Sequence, residues 1–150
     1  MFMVSDEPTQ AFVDAIRTRL KADAAMVALA SGGIWDHVSG ESRTSYPYIV
    51  LGRRGMTRDV GAMQVPGGRV TLHIDGWSNY LGQYEMAQIL SRISILLERA
   101  TLAVGGFAMV GGSLTCEMSE VFDEVDEDKP DDRLYHGVQR WTADVEEAAA

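Results

Sequence analysis

Phe12, Ile16 and Leu20 recur every four residues, and that single apolar stripe predicts an N-terminal amphipathic helix, entered through Ser5 or Asp6 with Pro8 in its first turn. Asp23 can cap a shorter continuation through Met26, Val27 and Leu29, ended by the backbone freedom of Ser31-Gly32-Gly33. The period then shortens. Ile34 to Val38 reads as a short edge strand, and Tyr46 to Leu51, β-branched and aromatic with Pro47 near its start, as a longer one. Glycines at 52, 55, 61, 67 and 68 precede the alternating Val70, Leu72 and Ile74, which predicts a long hairpin with a mobile tip, closing at Trp77. Ser78-Asn79 serves as a turn or cap. Met86, Ile89, Leu90, Ile93, Leu96, Leu97 and Ala100 keep a 3.6-residue period, the clearest helix of the chain. Phe107 to Val110, a break at Gly111-Gly112, and Leu114 to Phe122 suit a kinked or paired strand. Tyr135 to Val145 reads as a closing strand that pairs back across the preceding loop, and Glu146 to Ala150 are expected to fray. The expected fold is α+β: a mostly antiparallel twisted sheet with a long hairpin, packed by the N-terminal helix and a second long helix.

Composition adds limits to this pattern. A chain of 150 residues is one domain's worth, expected over 1–150, and can bury roughly 70% of its unfolded surface without staples. No apolar run approaches the roughly 18 residues of a membrane span, so no membrane partner is expected. No secretory signal is visible at the start, and a cytoplasmic origin is expected. Cys116 stands alone, which excludes an internal disulfide and a thiolate-cluster zinc site and suits a buried, inert thiol.

Charge is unevenly placed. The net charge is −9, and residues 123–132 hold seven acids against Lys129, so −6 of it sits in ten residues. Asp123, Glu124, Asp126, Glu127, Asp128, Asp131 and Asp132 repel one another and are expected in a solvated loop. The body is nearly neutral, which argues against a duplex-gripping protein. The hairpin has the opposite sign, with Arg53, Arg54, Arg58 and Arg69 alongside Met56 and Met63.

Catalytic and ligand chemistry finds little footing. His37, His73 and His136 lack metal-site spacing, and Asp36-His37 and His73-x-Asp75 read as turn and strand-face residues. The glycine pairs at 32, 67, 105 and 111 do not have the spacing that cradles a pyrophosphate. Ser39 and Ser113 lie outside any nucleophile elbow. The acidic stretch offers hard oxygens to calcium but not the register of a calcium loop, and it has no apolar wall to raise a carboxyl pKa. No cofactor, metal or catalytic residue is expected.

Five segments carry a resemblance: Leu20-Lys21-Ala22-Asp23-Ala24-Ala25, Gly33-Ile34-Trp35-Asp36, Tyr46-Pro47-Tyr48-Ile49-Val50-Leu51-Gly52, Val70-Thr71-Leu72-His73-Ile74-Asp75-Gly76-Trp77-Ser78, and Tyr135-His136-Gly137-Val138-Gln139-Arg140-Trp141. In this order they resemble the tail-completion, or tail-terminator, family of long-tailed phages and gene transfer agents. The resemblance implies a structural virion subunit similar to the lambda tail terminator. It would form a homo-hexameric ring at the head-proximal end of the tail tube, in the neck of a particle assembled in the bacterial host cytoplasm. Its implied partners are the major tail tube protein, a head-completion or connector protein, and DNA passing through the lumen without specific binding.

Beside that frame, the residues suggest two expectations. The basic hairpin (Arg53, Arg54, Met56, Arg58, Met63, Arg69) engages an acidic surface of the neighbouring subunit or of the tube. The acidic loop 123–132 faces the lumen or a partner, where like charge lets a duplex slide. The rival class is a small nucleic-acid-binding module with the four arginines on phosphates, opposed by the absence of stacking aromatics beside them and by the acidic loop.

Overall fold

The computed structural model describes residues 8–36, 45–58, 67–80, 82–125 and 133–147. Their elements run α1 (Pro8–Lys21), α2 (Ala24–Leu29), β1 (Ile34–Trp35), β2 (Tyr48–Arg58), β3 (Gly67–Ser78), α3 (Tyr84–Leu97), β4 (Phe107–Met109), β5 (Thr115–Val125) and β6 (Arg133–Glu147). The α+β expectation is met by one curled, six-stranded sheet in the order β1-β2-β3-β6-β4, with β5 also on β6. β1 runs parallel to β2, and every other pair is antiparallel.

The helices form where the apolar stripes predict. α1 buries Phe12, Val13, Ile16 and Leu20, and α3 buries Met86, Ile89, Leu90, Ile93, Leu96 and Leu97. Each such side chain withdrawn from water contributes about 1.5–3 kcal/mol. Asp23 caps α2, accepting from the Met26 amide at 2.8 Å. The same carboxylate accepts from Arg92 Nε and Nη2 at 2.8 and 2.7 Å, joining the start of α2 to α3. That guanidinium holds the Asp23 carboxyl below the usual aspartate range. Ser5 and Asp6, the expected entry to α1, lie outside the described residues.

β6 is the spine of the sheet. It pairs with β3 from Gly67↔Glu146 to Ser78↔Tyr135, and along its other side with β5 and then β4. Burial alternates strictly along β3, with Val70, Leu72, Ile74 and Ser78 buried and their neighbours half exposed. Even positions of β3 and odd positions of β6 therefore face the helices. Gly76 and Gly137 are paired on that face. A Cβ on Gly137 would lie 2.5 Å from Met86 Sδ and 2.7 Å from its Cγ, and one on Gly76 2.8 Å from the same sulfur. The two glycines form the notch that lets α3 lie close against the sheet.

Gln139 meets the cost of polarity in this core. It is 1% exposed, and its Nε2 donates to Leu90 O, Ser94 Oγ and Ser119 Oγ while its Oε1 accepts from Trp141 Nε1. Trp141 is fully buried.

Several boundaries differ from the sequence expectations: β1 ends at Trp35, α3 at Leu97, and β6 begins at Arg133, and three further differences bear on the expected loops. Residues 53–58 and 67–69 belong to strands, because β2 and β3 pair as far as Arg58↔Gly68; residues 59–66, Met63 among them, lie outside the described residues. Asp123 and Glu124 extend β5 instead of opening the acidic loop, since β6 pairs opposite them and both side chains stay exposed. Residues 126–132 lie outside the described residues. Glu146 and Glu147 do not fray: β4 and β6 pair there as Ala108↔Glu146 and Phe107↔Glu147.

Candidate functional site

Helices pack on one face of the sheet, and on the other, which no described helix covers, the side chains of β3 and β6 are mostly half-exposed. Three surfaces remain for contact with partners: this open face and the two edges of the sheet.

On the open face the alternation that buries Leu72 and Ile74 presents His73, Asp75 and Trp77 from β3, with Arg140, Val138 and His136 opposite them on β6. The His136 ring stacks on Trp77, centroids 4.0 Å apart and planes 7° from parallel. His136 Nε2 lies 2.8 Å from Asp75 Oδ1, and Nδ1 lies 3.2 Å from Glu124 Oε1. Both nitrogens can donate at once only when the ring carries its second proton. Phe122 of β5 flanks the stack at 6.3 Å. The carboxylates sit at opposite nitrogens of one ring, so they do not converge on a common point. Accordingly, among the described residues no group of three or more His, Cys, Asp or Glu is arranged to hold a metal. Further along this face, Arg140 Nε stands 2.9 Å from Glu117 Oε2, an ion pair whose N–H is not aimed for a hydrogen bond, and His73 Nδ1 is enclosed without a partner among the described residues.

In sequence Asp75 reads as a strand-face residue and His136 lacks metal-site spacing, so neither marks the cluster they build. They are 61 residues apart and become neighbours only through the β3–β6 register. The one available signal was that His73-x-Asp75-x-Trp77 and Leu134-x-His136-x-Val138 each place residues on one face of a strand.

The first edge belongs to β1 and β2. β1 covers β2 only at Ile49 and Val50, and no described strand pairs with the outer side of β2 beyond them. A register shift between Leu51 and Arg54 inserts Gly52-Arg53 and turns Arg54 to the helix side, opposite Leu72. There Arg54 donates to Leu51 O at 2.9 Å, Gln10 Oε1 at 3.2 Å and Asp36 Oδ1 at 2.6 Å. This guanidinium also holds the Asp36 carboxyl below its ordinary range. Arg69 pairs with Asp144 Oδ1 at 3.1 Å. Two of the four hairpin arginines are thus engaged within the chain, which leaves the nucleic-acid reading with less free charge. Arg53 is exposed at the bulge, and Arg58 closes the strand. Met56 is half-buried, packed in part against the core. Trp35, 37% exposed, stands on β1, with its Nε1 donating to Gly32 O at 2.9 Å.

The second edge is β5, which pairs with β6 on one side only. Beside it runs a groove of about 520 Å³ between the strand and α3, lined by Ala87, Ser91 and Ile95 on the helix and Ser119, Glu120 and Val121 on the strand. Ile95 is 68% exposed. Glu117, Glu120, Asp123 and Glu124 make this edge acidic. Cys116, at its start, donates Sγ–H to Met118 O at 3.1 Å, and burial pushes the thiol pKa up. Of the residues singled out in sequence, the structure thus sets Arg53, Arg54 and Arg58 on one edge and Asp123 and Glu124 at the other. Arg69 lies inside the sheet.

No helix among the described residues is long and apolar enough to cross a membrane. Residues 14–146 match the model of the family described as Tail completion protein gp17. No curated protein matches the chain. Among solved structures, one chain of a particle described as "Virion of native gene transfer agent (GTA) particle" has a similar fold. Its TM-score is 0.76 at 20% identity, with 91% of this chain and 96% of that chain covered.

Proposed function

The chain belongs to the Tail completion protein gp17 family, and from that premise we propose that this structural tail protein acts as a ring of six copies on the head-proximal end of a tail tube. The ring ends tube polymerisation, presents a docking surface to the head-completion or connector protein, and leaves a lumen through which DNA passes. Contacts, not bond-making, are its output. The observation that carries this reading is the one-sided sheet: helices bury one face, while the other face and two unlike edges stay available to partners.

The charge distribution supports the same role. Acidic residues repel a phosphate backbone, so Asp123, Glu124 and the acids at 126–132 suit a surface past which a duplex slides without adhering. Arg53 suits a contact whose electrostatics set register and encounter rate more than affinity. Assembly takes place in the host cytoplasm, and the finished position is the neck of the particle.

The test is to produce particles without this chain and image their tails. Tubes of uncontrolled length that do not join heads are expected, with both defects corrected when the purified chain is supplied. Tails of normal length, joined to heads in its absence, would overturn the reading.

A further inference from the structure

The two edges of the sheet are complementary, and we propose that they join: the β1–β2 edge of one copy seats on the β5–α3 groove of the next. This inference rests on the ring reading and names the contact that closes it.

Strand direction makes the join possible. Because each neighbouring pair is antiparallel, the directions along β2, β3, β6 and β5 alternate, so β2 and β5 at opposite ends of the sheet run oppositely. A second copy related by rotation about an axis near the strand direction brings its β2 beside β5 as an antiparallel neighbour, and the sheet continues across the boundary. Such a contact is heterologous: each copy offers one edge and receives the other, and the rotation closes it into a ring.

Chemistry favours the same match. An open edge strand is a template for another chain; Arg54 occupies the Leu51 carbonyl on the first edge, but past the register shifts at Leu51/Arg54 and Cys116/Met118 no described strand pairs with the outer side of β2 or of β5. Arg53 is exposed on one and Glu120 on the other. Trp35 provides an aromatic anchor at the first edge, and the groove beside Ile95 provides an apolar receptor at the second. Anchored aromatics with charge at the rim are the usual composition of a specific interface. Joining two copies of the same edge would set Arg53 against Arg53 or Glu120 against Glu120, which like-charge repulsion disfavours.

The experiment is a charge swap in the full-length chain, read by native mass spectrometry and by imaging of rings with tail tubes present. Arg53→Glu alone and Glu120→Arg alone should each lower ring formation by about tenfold or more, with unchanged far-UV circular dichroism. The double variant, in which every junction again meets opposite charges, should recover most of the loss. Rings of the unaltered chain combined with no recovery in the double variant would overturn the edge-to-edge contact and leave the ring standing. An unaltered chain that forms no ring even on tubes would overturn both.

Discussion

Filling the notch beneath α3 tests the central packing argument. In Gly137→Ala the new methyl would lie 2.5 Å from Met86 Sδ, 2.7 Å from its Cγ and 3.2 Å from Leu90 Cδ1, all inside ordinary contact distance. The thioether end can swing away, but moving Cγ takes a change of χ1 in a packed core or a shift of α3. Overpacking of this kind costs about 1–3 kcal/mol. Against that, replacing glycine inside a strand recovers roughly 0.5–1 kcal/mol of backbone entropy. The net expectation is a loss of about 0–2.5 kcal/mol, at most a few degrees in Tm for a domain of this size. Urea unfolding followed by circular dichroism and by tryptophan fluorescence, to which buried Trp141 contributes, gives the number. Met86→Ala, which leaves a cavity, costs about 2–5 kcal/mol alone. In that background Gly137→Ala should become neutral or stabilising, because the methyl then enters vacated space. A single Gly137→Ala variant as stable as the parent, with no coupling to Met86→Ala, would refute the notch.

Other perturbations follow from the same structure. Gln139→Leu should cost about 1–3 kcal/mol by leaving Trp141 Nε1 buried without an acceptor, and adding Trp141→Phe should cost less than the sum of the two single changes, as a double-mutant cycle will show. Arg54→Ala breaks the bonds to Gln10, Asp36 and Leu51 and should destabilise by about 1–2 kcal/mol, whereas Arg53→Ala should change the unfolding free energy by no more than about 0.5 kcal/mol. Asp23 and Asp36 both have native pKa values below the ordinary aspartate value of about 4, so their contribution is full above that value and is lost as pH falls through the lowered native pKa. Urea midpoints should therefore fall steeply below about pH 4, and less steeply in Asp23→Asn, which has already lost the Arg92 pair at neutral pH; equal acid slopes in both would contradict the assignment.

Local pattern along the chain is enough to read the helices, the cap and the succession of strands. Apolar side chains at a 3.6-residue spacing can be buried together only on one face of a helix, so Phe12, Ile16 and Leu20, and Met86 through Leu97, announced α1 and α3. Asp23 announced α2 because a short acceptor before an apolar run satisfies an amide within its own segment. Likewise, the alternation of Val70, Leu72 and Ile74 marked the buried face of β3. These are local rules, and they act within a turn or a few residues of strand.

Everything set by which strands meet depends instead on contacts between distant segments. Pairing across the hairpin carried β2 out to Arg58, where glycine content had suggested a tip, and pairing with β6 kept Asp123 and Glu124 in a strand despite their charge. A bulge at Gly52-Arg53 changed the face of the next residue, and so placed Arg54 against Asp36 while Arg53 stayed in solvent. The Trp77, Asp75, His136 and Glu124 cluster and the Gly76–Gly137 notch exist because β3 and β6 align in one register. A slip of one residue would turn both to the wrong face, and composition holds no record of that alignment.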